Sequence, residues 1–568
     1  MGQVAPVRVR TLPLGAPVPV VLCLLLSLGP QQAPIRPPEK CNIEGLVVKA
    51  GTGQPLKEAW VTLGSVESRQ APNVTSTDSS GRFVLKEIEP GHYRLRVERS
   101  GYVRQEYSQR GANRAGTILT LEPGQSVRDI VLRLVPTGAI AGRVYDEDGD
   151  PIAGARVQAL RYGYERGRRE FMQAAEAVTN DLGEYRLYGL APGHYYVNGT
   201  YTPTIAKLGV AGATPAGHTG GSSPKGGYAR TYYPGTSQPS GAAPIELQAG
   251  EEVGRIDLAL LRTHAVRVGG RVFNAINGRP SRGARLWLVP RNSGVSESVF
   301  RNQTIVENAQ GAFAIRRVTP GSYVLSASWL EGGEVYRTRQ TLDVEDSDID
   351  DLDLALLPGV ELRGRVRAEG NPQIKFTDLR VLLQPRDDAE IGIASATVKS
   401  DGTFVLKNVA SDVYDLTLVG VPEGFYLATA REGTDDVLES GFSVSRERPL
   451  GSLELVLNPA GGHVDGIVVD KPEQPFGGAL VVLVPEASRR GQAHYYKTTT
   501  TDQYGRFTLR DIVPGEYRLF AWEDIETGAY QDSEFLQYYE KRGELVRVAQ
   551  ASRHNVQLKL IPPTERPQ

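Results

Sequence analysis

Hydrophobic and polar residues alternate in short runs along this chain, and the runs recur in the same order five times. Alternation with a period of two places the apolar side chains on one face of a β-strand. Each recurrence opens on an apolar-x-Gly-x-Val run. A glycine at the centre of a strand weakens it, so each central glycine predicts the close approach of another backbone. The five opening runs are "IEGLV" from Ile43, "IAGRV" from Ile140, "VGGRV" from Val268, "LRGRV" from Leu362 and "VDGIV" from Val464.

The middle of each recurrence has the form "TDQYGRFTLRDIVPGEYRL", which is residues 501–519 in the last copy. Gly505 permits the positive φ of the turn that begins a strand, and Pro-Gly makes the next turn. The predicted inward positions are Phe507, Leu509, Ile512, Tyr517 and Leu519. Related segments begin at Thr77, Thr179, Glu307 and Val398, and the last of these lacks the Pro-Gly turn.

The recurrences lie roughly 90 to 130 residues apart, which is the size of a whole domain and far longer than one repeat of a solenoid. The short joins "LVPTGAIAG" and "LLPGVELRG" favour rigid connections between the domains. The predicted boundaries are a leader at 1–33, then sandwiches at 41–136, 137–263 with a Gly-rich insertion at about 203–243, 264–358, 359–459 and 460–562.

The segments "GRFTLRDIVPGEYRL", "VDGIV" and "GGALVVL" resemble the carboxypeptidase regulatory-like domain, a transthyretin-like β-sandwich. The resemblance extends over nearly the whole chain after the leader. It implies an all-β protein of five tandem transthyretin-like or immunoglobulin-like sandwiches after a signal segment. It also implies the accessory sandwich of the family without its peptidase, and a shape shared with carbohydrate-binding sandwiches.

The first 33 residues differ from the rest, because Arg8 and Arg10 precede the apolar run "VPVVLCLLLSLG". This pattern predicts a secretory signal, and a span would need about 20 apolar residues. Pro30 and Pro34 crowd the cleavage region, so an uncleaved membrane anchor is the alternative. After cleavage Cys41 is the only cysteine, which predicts no intrachain disulfide. The formal charge of −2 has no basic excess of the kind that nucleic-acid binding needs.

The residues predict no catalytic centre, cofactor or metal. A zinc peptidase needs histidines and a glutamate around one metal, whereas the seven histidines are scattered and only His92 has a Glu or His three or four places away. Two acidic stretches have the oxygen ligands that calcium prefers. The first stretch contains Asp146, Asp148 and Asp150, and its preferred interpretation is an Asp-Gly turn. The second stretch contains Asp348, Asp350 and Asp353, and its preferred interpretation is an acidic face exposed to solvent.

Tyrosines outside the repeated core positions are the candidate binding residues, because exposed aromatic rings stack on sugar rings. The alternative is that these rings pack between domains. We expect an exported, non-catalytic protein of the cell envelope that binds a polysaccharide. A structural spacer or a scaffold that binds cell-surface proteins, and an accessory chain of a secreted hydrolase, are the alternatives. The candidates are Tyr162, Tyr164, Tyr228, Tyr232, Tyr233, Tyr495, Tyr496, Tyr538 and Tyr539.

Overall fold

The computed structural model describes residues 39–67, 71–111, 114–201, 226–291, 303–370, 374–386, 392–448, 451–471 and 474–563. The predicted leader and residues 203–225 of the Gly-rich insertion lie outside this part of the chain. Within the described ranges, no helix combines the length and the apolar character that crossing a bilayer requires.

The protein is all-β, as the alternating runs predict. We refer to the five segments with the predicted boundaries as units 1 to 5; the boundaries themselves stay a prediction. Unit 1 contains β1 (Cys41–Lys49), β2 (Trp60–Ser65), β3 (Asn73–Ser76), β4 (Arg82–Ile88), β5 (Gly91–Glu98), β6 (Gln105–Glu106), β7 (Leu119–Leu121) and β8 (Ser126–Leu134). Unit 2 contains β9 (Gly138–Tyr145), β10 (Arg156–Glu165), β11 (Arg168–Val178), β12 (Glu184–Leu190), β13 (Gly193–Thr200), β14 (Gly226–Tyr228), β15 (Thr231–Tyr232), β16 (Ile245–Leu247), β17 (Glu252–Val253), β18 (Leu258–Ala259) and β19 (Arg262–His264).

The last three units add two short α-helices to the strands. Unit 3 contains β20 (Val266–Asn274), β21 (Arg285–Pro290), β22 (Gln303–Ile305), β23 (Ala312–Val318), β24 (Gly321–Glu331), β25 (Glu334–Val344) and β26 (Ile349–Pro358). Unit 4 contains β27 (Val360–Ala368), β28 (Arg380–Pro385), β29 (Ala394–Thr397), β30 (Thr403–Val409), β31 (Asp412–Val419), β32 (Tyr426–Glu432), β33 (Asp435–Asp436), α1 (Val437–Ser440), β34 (Phe442–Val444) and β35 (Leu453–Asn458). Unit 5 contains β36 (Gly462–Lys471), β37 (Gln474–Pro475), β38 (Leu480–Pro485), β39 (Lys497–Thr500), β40 (Arg506–Ile512), β41 (Gly515–Trp522), α2 (Ser533–Tyr539), β42 (Glu544–Val548) and β43 (Arg553–Lys559).

Every unit uses the same strand pairing. Its first strand runs antiparallel to the strand that follows the Gly turn and parallel to the closing strand, as β1 does with β4 and β8 and β36 does with β40 and β43. Its second strand lies in the other sheet, as β38 does between β39 and β41. Unit 3 departs from the others because the long hairpin of β24 and β25 joins both layers into one sheet of seven strands.

Each large hydrophobic core draws its residues from one unit and from both of its layers of strands. In unit 5 the predicted inward residues Phe507, Leu509, Ile512, Tyr517 and Leu519 are all buried there. Burial of each such side chain stabilises a fold by about 1.5–3 kcal/mol. The core of each unit therefore contributes to the stability of that unit separately.

The central glycines mark a close backbone approach, as predicted. A Cβ atom added at any of them would lie within 2.7 Å of a carbonyl oxygen of the closing strand or, in unit 2, of the segment between β17 and β18. The distances are 2.5 Å from Gly45 to Ile130, 2.0 Å from Gly142 to Ile256, 1.9 Å from Gly270 to Leu352, 2.7 Å from Gly364 to Leu453 and 2.3 Å from Gly466 to Val556. The glycine therefore lets the parallel strand approach the first strand closely where the two pair side by side in one sheet.

The repeated tyrosine also has a polar role that the alternation did not reveal. In each unit its hydroxyl donates a hydrogen bond to the carbonyl oxygen four residues upstream and ties the turn to the strand, as in the tyrosine corner of other sandwiches. The bonds are Tyr93 to Glu89 at 2.8 Å, Tyr195 to Ala191 at 2.7 Å, Tyr323 to Thr319 at 2.8 Å, Tyr414 to Ala410 at 2.9 Å and Tyr517 to Val513 at 2.7 Å. Unit 4 keeps the bond although it lacks Pro-Gly.

Candidate binding site

Unit 5 packs against unit 1, so the chain folds back on itself. The side chain of Gln503 accepts a hydrogen bond from the Thr120 backbone N–H at 2.9 Å and donates one to the Thr120 carbonyl at 2.8 Å. The Thr120 hydroxyl donates to the Asp502 carboxylate at 3.0 Å. Arg110 lies 4.1 Å from the centre of the Phe476 ring. The Gly turn of the last repeated motif therefore holds the two units together.

Unit 5 also contacts units 4 and 2. Arg489 forms an ion pair with Glu439 of unit 4 at 2.9 Å, and Arg510 forms another with Glu423. On the other side, the Tyr164 ring of unit 2 lies 6.4 Å from the Phe535 ring, edge to face. One unit thus contacts three others.

These contacts enclose a cleft of about 930 Å³ between units 1, 4 and 5. Unit 5 contributes the edge strand β39 and the neighbouring β40. Unit 4 contributes the loop with Val421 and Phe425, and unit 1 contributes Ile118 and His92. The volume lies in the range of small-molecule sites in proteins, about 300–1,000 Å³.

Most charges around the cleft are already compensated. Glu67 contacts His92 at 2.8 Å, and Lys375 forms an ion pair with Asp378 at 3.0 Å. The buried Asp502 carboxylate accepts bonds from the backbone N–H groups of Tyr504 and Arg506 at 2.9 and 2.8 Å. Charged groups that already have partners of this kind gain little from binding a charged ligand.

Two charged groups of unit 5 differ from these. Among the described residues, the Lys497 ammonium has no hydrogen bond or ion pair, and the buried Oδ1 of Asp511 has no hydrogen-bond partner. Removal from water lowers the pKa of Lys497, while the nearby negative charge of Asp511 acts in the opposite direction. Both residues line the cleft, so this end of it carries an ammonium and a carboxylate group that are not committed to other side chains by a hydrogen bond.

The candidate tyrosines of unit 2 contribute mostly to packing. Tyr162 and Tyr164 lie in strand β10 instead of a loop, and Tyr162 stacks on Phe171 at 4.2 Å. Tyr232 is only 1% exposed and belongs to the same small cluster. Tyr228 and Tyr233 are half-buried beside the main core of the unit. For Tyr164, the contact with unit 5 is the interdomain packing that the alternative interpretation expects.

The candidate tyrosines of unit 5 divide into buried rings and one exposed ring. Tyr495, Tyr496 and Tyr539 are buried, and Tyr539 meets the Trp522 ring edge to face at 5.8 Å. Burial raises the pKa of Tyr496 to about 12, so its phenol stays a hydrogen-bond donor at neutral pH. Tyr538 is 65% exposed. Sugar stacking needs an accessible ring face, which Tyr538 has and its three neighbours lack.

The acidic stretches and the histidines make local contacts. Asp146 Oδ1 accepts from the backbone N–H groups of Asp148 and Asp150 at 3.0 and 2.9 Å, which is an Asp turn. Asp350 forms an ion pair with Arg267 at 2.6 Å. His494 of unit 5 is half-buried, and loss of hydration lowers its pKa to about 4, although the negative charge of Asp415 of unit 4 acts in the opposite direction. The described residues contain no group of three His, Cys, Asp or Glu side chains that could hold a metal ion.

Comparison with known families confirms the predicted resemblance in units 1 and 2. Residues 42–134 and 139–220 match the model of the carboxypeptidase regulatory-like domain. Residues 460–534, in unit 5, match a model described as polysaccharide lyase family 4, domain II. Units 1 and 2 therefore resemble carboxypeptidase regulatory-like domains, over segments that make up less than half of the chain.

Curated relatives match less than half of the chain. BOS complex subunit NOMO3 of Homo sapiens is 25% identical over 278 residues, which are 45% of this chain and 21% of that protein. BOS complex subunit NOMO1 of Mus musculus shows the same identity and coverage. The chain thus spans about a fifth of the length of these relatives.

Solved structures with some likeness include surface pilins. The minor pilin GBS52 of Streptococcus agalactiae is 11% identical, with 39% of this chain and 94% of that chain covered and a TM-score of 0.23. A streptococcal ancillary pilin is 12% identical, with coverage of 56% and 99% and a TM-score of 0.19. At these scores the superpositions carry no argument about this protein.

Proposed function

We propose that the protein is exported and binds a carbohydrate at the cell envelope or outside the cell, without catalysing a reaction. The observation that carries this proposal is the cleft between units 1, 4 and 5. A chain that folds back to enclose a cleft has the form of a recognition protein, whereas a spacer gains length by keeping its ends apart. The match of unit 5 to a domain of a polysaccharide lyase supports a carbohydrate as the ligand.

The test is a binding panel with the full mature protein. The protein is titrated with soluble polysaccharides and incubated with insoluble ones, while tryptophan fluorescence and retention are measured. We expect saturable binding to one class of glycan. Absence of binding to every member of a panel that includes neutral, acidic and amino-sugar polymers would contradict the carbohydrate proposal.

Export is the second part of the proposal and rests on the apolar leader with its preceding arginines. We expect the full-length gene product to appear outside the cytoplasm, and N-terminal sequencing of the recovered protein to begin near residue 34. An intact N terminus in a membrane fraction would identify the anchor alternative. A protein that stays in the cytoplasm would contradict export.

A protein-binding scaffold is the second candidate function. It is favoured by the relatives, whose name describes a subunit of a complex. Crosslinking on intact cells followed by mass spectrometry would distinguish it, because a scaffold gives one stoichiometric protein partner and no glycan. The same experiment would identify the partner if the chain is an accessory to a secreted hydrolase, the third possibility that the lyase-domain match leaves open.

A further inference from the structure

We propose that the cleft between units 1, 4 and 5 is the carbohydrate site, and that it takes a neutral oligosaccharide held by the Lys497 ammonium and the Asp511 carboxylate. This inference rests on the proposed function and assigns its location and ligand class. It replaces the tyrosine clusters as the main site, since most of those rings are buried.

The cleft is a property of the assembled chain. Its unit 5 wall is held against unit 1 by Gln503 and Asp502 and against unit 4 by Arg510. Hydrogen bonds and ion pairs on both sides of the cleft fix the distance between its walls. A preformed site loses less conformational entropy on binding than a mobile one, so such anchoring favours affinity.

The charge distribution favours a neutral ligand. The lining contains four Lys or Arg side chains and five Asp or Glu side chains, so its net charge is small. Most of them are paired or bonded as described above, and Arg506 lies over the Tyr504 ring at 5.6 Å. The remaining ammonium and carboxylate, Lys497 and Asp511, have opposite signs. A neutral ligand that both accepts and donates hydrogen bonds can bind both groups. An anion would be attracted by Lys497 and repelled by Asp511, and a cation the reverse.

The remaining lining suits the amphipathic surface of a sugar. Thr498 and Thr499 line the cleft from β39, which is an edge strand of its sheet and so presents backbone N–H and C=O groups along its outer side. Val421 and the half-buried Phe425 supply an apolar patch on the unit 4 side for the C–H face of a ring. Sugar hydroxyls are donors and acceptors at once, which is what the Lys497 and Asp511 pair requires.

The test measures the affinity of the full chain for the best neutral oligosaccharide from the panel by titration calorimetry. Lys497→Met removes the charge and keeps the length of the side chain. Asp511→Asn keeps the shape and tolerates the φ of 55° at this position, as Asn408 does at 58° in unit 4. Lys559→Met is the matched control, because Lys559 is exposed on β43 of the same unit and lies outside the cleft.

Each cleft variant removes one charge-assisted hydrogen bond, which is stronger than a bond between neutral groups. We therefore expect each cleft variant to weaken binding about tenfold or more, with the Lys559→Met affinity within twofold of the parent. Hydrogen exchange with mass spectrometry gives a second readout: the ligand should protect residues 497–511 and leave residues 528–540 unchanged.

The outcomes separate this inference from the proposed function. If the parent binds a glycan but both cleft variants bind equally well, or if protection falls on residues 528–540, the location is wrong and carbohydrate binding stands. If the parent binds only a charged glycan, the ligand class is wrong. If no glycan binds, both the inference and the carbohydrate proposal fail.

Discussion

Replacing Gly142 with alanine tests whether the central glycines are required by the close strand. The added Cβ would lie 2.0 Å from the Ile256 carbonyl oxygen and 2.5 Å from its carbon. Both obstructing atoms belong to the main chain, so no side-chain rotation relieves the contact. The strands must separate by about 1 Å or more, and overpacking of this kind costs about 1–3 kcal/mol. Each loosened hydrogen bond between the strands adds about 1 kcal/mol to this cost. Alanine loses less backbone entropy than glycine on folding, which offsets only about 0.5–1 kcal/mol.

The expected net loss is about 3 kcal/mol, confined to unit 2. Hydrogen exchange with mass spectrometry on the full chain measures it, because a loss of this size speeds exchange through unit 2 opening roughly a hundredfold. Gly254→Ala is the control in the same unit, since no atom lies within 4 Å of its added Cβ. We expect the control to remain within about 0.5 kcal/mol of the parent. Exchange of the Gly142→Ala unit 2 peptides within threefold of the parent would refute the close-approach explanation.

Three further predictions concern stability. His494 has a pKa of about 4 in the folded chain against an ordinary value of 6.5, so between these pH values the unfolded chain binds a proton that the folded chain does not. The free energy of unfolding should therefore fall by up to roughly 3 kcal/mol as the pH drops from about 6.5 to 4. Urea unfolding of the His494→Gln variant should lose this pH dependence. Tyr414→Phe leaves the Ala410 carbonyl unpaired and should cost about 1–2 kcal/mol in urea unfolding, whereas Tyr188→Phe, whose ring is 69% exposed, should cost nothing measurable; equal effects would contradict the tyrosine-corner role. Tyr232→Ala empties a buried site and should cost about 3–5 kcal/mol in thermal unfolding, while Tyr538→Ala should leave the melting temperature unchanged; an unchanged Tyr232→Ala protein would place that ring outside the core.

Local patterns predicted the repeated parts of the fold well, because those parts depend on neighbours in sequence. Alternation identified the inward faces, as Phe507 and Leu509 show. The glycine of each first strand correctly indicated a close backbone. The tyrosine hydrogen bond was not predicted, although a signal existed: Tyr414 is kept in unit 4 where the Pro-Gly turn is lost, which a purely apolar role does not explain.

The location of the candidate site could not be predicted from the local sequence. The sequence indicates Tyr162 and Tyr164 as binding candidates, whereas both lie in strand β10, which continues to Glu165. Nothing in the local sequence of Lys497 or Asp511 distinguishes them from solvated charges. Their environment arises from the cleft that they line, whose other walls come from units 1 and 4.

The amino-acid sequence by itself determined the class of fold, the strand order within a unit and the absence of a recognisable catalytic motif. Periodicity, turn residues and glycine positions act over a few residues, so they can be read without coordinates. The tertiary structure alone decided that unit 5 packs on unit 1, through contacts such as Gln503 with Thr120, nearly four hundred residues apart in the chain. Such contacts depend on the shapes of finished domains, and the cleft exists only because those domains meet.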